Sequence, residues 1–190
     1  LRQAHDQGST VKEGQMTING LLPGDVLATR TPGAWPDTMI RLGSALLDKP
    51  NLSNHVAVVH HWDASGTLWV IEGRPGGVGW RNASDYLSSR WTLSNVAQPK
   101  TDAQRKVITD GAVAILGMPY DWAAIIGDGL DDLHLWSPVH GQVQGHAVCS
   151  AVAALLYDKA ALARPAGDER RIQPADWAEF VVTQGWAVAR

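Results

Sequence analysis

The chain has 190 residues, 45% of them apolar and 18% charged, with a formal net charge of −3. This size and balance indicate one globular domain with a sizeable core and exclude an extended disordered chain. No Lys/Arg-rich run is present, which argues against nucleic acid as a partner, and no apolar run approaches membrane-spanning length.

The one cysteine, Cys149, rules out an internal disulfide and a multi-cysteine zinc site. The first fifteen residues, "LRQAHDQGSTVKEGQ", are polar and lack the apolar stretch of a signal peptide. Residues 1–15 are therefore expected to be a flexible extension, tag or linker, followed by a single domain over 16–190. In chain order, "PGDVLAT" reads as a turn and a short strand over Asp25–Thr29, and Pro36 opens a helix that Pro50 ends. "HVAVVHHW", the turn "DASG" and "TLWVIEG" form the clearest hairpin, with strands over His55–Trp62 and Thr67–Gly73. "RPGGVGW" reads as a glycine-rich loop without the signature of a phosphate cradle. "WTLSNVAQP" reads as a further strand. A helix follows, with a Thr101/Gln104 capping box and Gly117 as its stop. A long polar loop over 121–145 leads to the apolar helix that begins near Cys149. "IQPADWAEFV" ends the series as a short helix with Pro174 at its start. Strands come first and helices later, so the fold class is α+β with a small antiparallel sheet.

Cys149 has two readings. A lone cysteine is commonly a small buried hydrophobe. The glycine-bearing "HGQVQGHA", however, places it in the first turn of a helix, where free N–H groups and the helix dipole favour a thiolate. A thiolate nucleophile needs a base, and among seven histidines His55 is the best placed, at the rigid start of a strand. With a four-residue turn over Asp63–Gly66, Trp62 pairs with Thr67 and Ala57 lies opposite Glu72. His55, Ala57, Val59 and Glu72 then share a face, with Glu72 about 7–8 Å along the diagonal from His55. From there Glu72 can orient the imidazole and stabilise its protonated form. A one-residue bulge between them would turn Glu72 away, and the alternative is a glutamate ending a strand in solvent.

The order His, Glu, Cys resembles the circularly permuted branch of the NlpC-type papain-like enzymes, which includes the YiiX-like proteins and the lecithin retinol acyltransferase group. The motifs that carry the resemblance are "LLPGDVLAT", "SNHVAVV", "VIEGRPGGVGW", "GMPYDW", "VCSAV" and "IQPADWAEF". They span roughly Leu21 to Phe180. The chain departs from the "CSE" of many relatives in having "CSA" at Cys149–Ala151, and its loop before Cys149 is long. The resemblance implies a permuted papain-like fold in which the Cys helix packs on the sheet carrying the His. It implies Cys149 as nucleophile, His55 as general base, Glu72 as orienting residue and Tyr120 near the oxyanion; otherwise Tyr120 is a packed loop aromatic. The implied activity is hydrolysis of an amide in a peptide or peptidoglycan-like substrate, with no cofactor and no metal. A thiol acyltransferase or lipid-acyl hydrolase of the same fold, and a catalytically silent binding module, are the alternatives. A metal-hydrolase reading would draw on Asp128, Asp131, Asp132, His134, His140 and His146, whose spacing fits no calcium loop.

Overall fold

A computed structural model describes residues 20–30, 53–87, 91–119, 148–168 and 172–189. In chain order these form β1 (Val26–Arg30), β2 (His55–Trp62), β3 (Leu68–Arg74), β4 (Gly77–Asn82), α1 (Ser84–Leu87), β5 (Trp91–Ser94), α2 (Asp102–Ala114), α3 (Cys149–Lys159), α4 (Pro174–Thr183) and the two-residue β6 (Val188–Ala189). The strands make one antiparallel sheet in the order β4-β3-β2-β1-β5-β6. The class is α+β. The helix expected after Pro36 and the 121–145 loop lie outside the described residues.

Alternation along β1 and β2 divides the apolar residues between two faces. Val26, Ala28, Val56, Val58 and Ile71 pack with residues of α2, α3 and α4 in the larger cluster. Leu27, Ala57, Val59, Leu68 and Val70 form the smaller one with Tyr86. α3 is apolar on nearly all sides: Cys149 through Ala154, Leu156 and Tyr157 are all buried. A helix without a polar face has to lie inside, between the sheet and its neighbours. α2 begins as expected, with Gln104 N–H donating to Thr101 Oγ1 at 3.2 Å and Thr101 N–H donating to Gln104 Oε1 at 2.9 Å. Pro174 occupies the first turn of α4, where its missing N–H costs nothing. Among the described residues, no helix is long and apolar enough to cross a membrane.

The β2–β3 hairpin differs from the expected one in two places. Its loop has five residues, 63–67, so Trp62 pairs with Leu68 rather than with Thr67. The Asp63 carboxylate organises this loop: Oδ1 accepts from the N–H groups of Ser65 and Thr67, and Oδ2 from Trp69 Nε1 at 2.8 Å. The register then shifts between Val59 and His61. The extra residue, His60, returns the pairing to Val59↔Val70 and Val58↔Ile71. The two one-residue departures cancel, and Glu72 keeps the face expected for it.

"RPGGVGW" is a strand rather than a loop. Only Pro75 and Gly76 turn, and Gly77–Asn82 pairs with β3 from Arg74↔Gly77 to Trp69↔Asn82. Glycine composition masks the strand, whereas cross-strand pairing and the burial of Val78 create it. α1 and β6 were also not expected from the sequence. β4 is tied to the end of α2 by Val78 N–H to Met118 O and Gly117 N–H to Val78 O, both 2.8 Å.

A buried polar network joins the sheet to the helices on the far side. Asn95 Oδ1 accepts from Val26 N–H at 2.7 Å, and its Nδ2 donates to Gln98 Oε1 and to Tyr157 Oη. Tyr157 Oη in turn donates to Gly24 O at 2.7 Å. Asp25, fully buried, is paired with Lys100 at 2.9 Å and Arg105 at 3.0 Å.

Gly77 has a φ of 111°, and a Cβ there would stand 2.9 Å from the Met118 carbonyl oxygen. Gly77→Ala is expected to cost about 1–3 kcal/mol of stability. Urea denaturation should show a lower midpoint at unchanged slope.

Candidate active site

The start of α3 is fixed from below. Ser150 Oγ donates to Ile172 O at 2.5 Å, and Trp177 Nε1 of α4 donates to Ser150 O at 3.2 Å. Val148 is the N-cap in an extended conformation, among the described residues no side chain caps the helix, and no acidic residue sits in its first turn. The positive end of the helix dipole therefore acts on Cys149. Cys149 itself is 6% exposed.

His55 is the first residue of β2. Its backbone entry is set by Asn54 N–H donating to Thr29 O at 3.0 Å and by Ser53 Oγ, which reaches Thr29 O and His55 O. By alternation its side chain belongs to the face opposite α3. It meets Cys149 at the end of the strand, where the Val56 N–H also points at the sulfur. His55 Nε2 lies 2.5 Å from Glu72 Oε2. Cys149 on α3, His55 on β2 and Glu72 on β3 are thus brought together at one place.

The electrostatics follow from these contacts. Burial by itself would lower the His55 pKa, but the Cys149 thiolate and its hydrogen bond, followed by Glu72, raise it to about 9. Burial by itself would raise the Cys149 pKa, but the His55 charge, its hydrogen bond and the Val56 N–H lower it below the ordinary thiol value. Between the two pKa values the pair exists as thiolate and imidazolium.

Glu72 is 2% exposed, which excludes a strand end in solvent. Burial opposes its charge, and the hydrogen bond and charge of His55, with Arg74 and Arg81, hold its carboxyl below the usual range. Arg74 Nε pairs closely with Glu72 Oε1, and Arg81 Nε lies 3.3 Å from the same oxygen. Tyr86 stacks on His55 with ring centroids 5.7 Å apart and planes 10° from parallel.

Sequence reasoning missed Arg74, Arg81 and Tyr86. Arg74 shares a face with Glu72 at i+2, and Arg81 would follow from the β4 register, once "GVGWRN" is read as a strand. Tyr86 sits on a four-residue helix that has no sequence signal. Tyr120 and the residues of the metal reading (Asp128, Asp131, Asp132, His134, His140 and His146) lie outside the described residues. Among the described residues, no group of three or more His, Cys, Asp or Glu could hold a metal ion. His60 and His61 face each other and Trp80, with 3.0 Å between their Nδ1 atoms. No family model matches the chain. A search of curated proteins likewise finds no match.

Iodoacetamide alkylation of Cys149 is expected to be fast at pH 6. In His55→Ala, burial acts without the imidazolium, and the onset should move up to or beyond about 8.5, the value of an ordinary thiol. An onset that is the same in both proteins would make Cys149 a core residue.

Proposed function

We propose that the chain is a thiol-dependent hydrolase that cleaves an amide bond through an acyl-enzyme on Cys149. The observation that supports this reading is the meeting of Cys149, His55 and Glu72, with the cysteine in the first turn of a helix. The Cys149 thiolate attacks the acyl carbon and forms a C–S bond. The oxyanion that develops is met by backbone N–H groups of the first turn of α3. His55, already protonated, gives its proton to the departing amine nitrogen as the C–N bond breaks. It then takes a proton from water, whose hydroxide attacks the thioester. Release of the carboxylate product restores the thiolate and imidazolium. Glu72 keeps the ring oriented and its charged form favourable throughout.

The His and Glu strands precede the Cys helix in the chain, an order consistent with a permuted papain-like fold. With the resemblance to the permuted NlpC-type enzymes, this directs the substrate assignment to cell-wall peptides. Tyr120 is proposed to stand near the oxyanion on the same ground.

Incubation with defined muropeptides and, in parallel, with acyl-ester lipids, followed by mass spectrometry, tests the proposal. Amide cleavage is expected, abolished in Cys149→Ala and lowered on the order of 10²–10⁴-fold in Glu72→Gln. Turnover of the lipid esters alone would assign the fold to acyl transfer. Turnover of neither, with an unreactive thiol, would leave a binding module.

A further inference from the structure

We infer that Arg74 is a positioning residue that holds the His55 ring in register with Cys149, acting through its geometry more than through its charge. The inference rests on the hydrolase reading above. Arg74 makes two connections to the imidazole. Its Nε holds Glu72 Oε1, which leaves Glu72 Oε2 directed at His55 Nε2. Its Nη2 donates to Tyr86 Oη at 3.0 Å, and the guanidinium lies over the Tyr86 ring, 5.8 Å from its centroid. That ring is the one stacked on His55. One planar fork therefore fixes the carboxylate that bonds the imidazole edge and the phenol that covers its face. Arg81 reaches Glu72 Oε1 at the longer distance of 3.3 Å.

Among the described residues, the charged and titratable groups around the His55–Cys149 pair are Glu72 and Arg74 on β3, Arg81 on β4 and Tyr86 on α1. Charge and geometry make opposite predictions for Arg74. As a mere cation beside an imidazolium, Arg74 destabilises it, and Arg74→Gln would raise the His55 pKa while Arg74→Lys would behave as wild type. As a positioning residue, its loss frees Glu72 and Tyr86 to rotate, and the thiolate–imidazolium pair weakens in both variants. Lys keeps the charge but has no fork with which to hold two partners.

The test is the pH profile of Cys149 alkylation in wild type, Arg74→Lys, Arg74→Gln and Tyr86→Phe, with each fold checked by circular dichroism. Both Arg74 variants are expected to shift the onset upward by about one pH unit, a roughly tenfold loss of rate at a pH below the wild-type onset. Tyr86→Phe keeps the ring but loses the bond from Arg74 together with the 3.5 Å contact of Tyr86 Oη with His55 Nε2, and a smaller shift in the same direction is expected. It also decides the outcome if the Arg74 variants fail to fold. An activated wild-type thiol with an unshifted profile in Arg74→Lys, or in Tyr86→Phe where the Arg74 variants do not fold, overturns the positioning role and leaves the hydrolase reading intact. A wild-type thiol with an ordinary profile overturns both.

Discussion

The candidate site is organised around a carboxylate that water does not reach. Isolated in an apolar interior, the Glu72 charge would be too costly to keep, and the group would take up a proton. It remains ionised because both oxygens are occupied, one by His55 and the other by two arginines. The Cys149 thiolate and, after it, the Glu72 carboxylate favour the His55 imidazolium, and the charge of His55 in turn favours the thiolate. The state of the sulfur on α3 thus depends on the pairing of β3 with β4, which brings Arg81 to the carboxylate.

The opposite end of the sheet meets the same constraint with a different residue set. Asp25 lies buried between Lys100 and Arg105, and Asn95 and Tyr157 satisfy the backbone of β1 and of the turn before it. Lys100 ends fully buried, which lowers its pKa despite the charge of Asp25. Removing a partner would leave a buried charge or dipole unsatisfied, so these groups fix the orientation of α2 and α3 against the sheet as well as their contact with it. The larger apolar cluster supplies the area of that interface. The polar network limits the ways in which it can be assembled.

The hairpin, the capping box of α2, the proline start of α4 and the apolar helix at Cys149 were legible because each has a local chemical cause. The shared face of His55 and Glu72 was legible as well, although the reasoning assumed a four-residue turn and the chain uses five residues and a bulge at His60. β4 was not legible. Its glycines signal a turn, and its strand character comes from the pairing with β3 and the docking of Gly117 and Met118. Arg74, Arg81 and Tyr86 were missed for a related reason: each acts through a neighbour that becomes adjacent only when the strands are paired. Sequence periodicity places a side chain on a face. It does not say which groups from other elements will share that face.

The bulge at His60 also separates two parts of the hairpin. On its near side, register is set by the Asp63-centred loop; on its far side, by the alternation that carries Ala57, His55 and Glu72. A change in loop length can be absorbed at the bulge without rotating either functional side chain. The tip of this hairpin is therefore the part of the sheet most open to insertion and divergence, whereas the strand ends at His55 and Arg74 tolerate no slip at all.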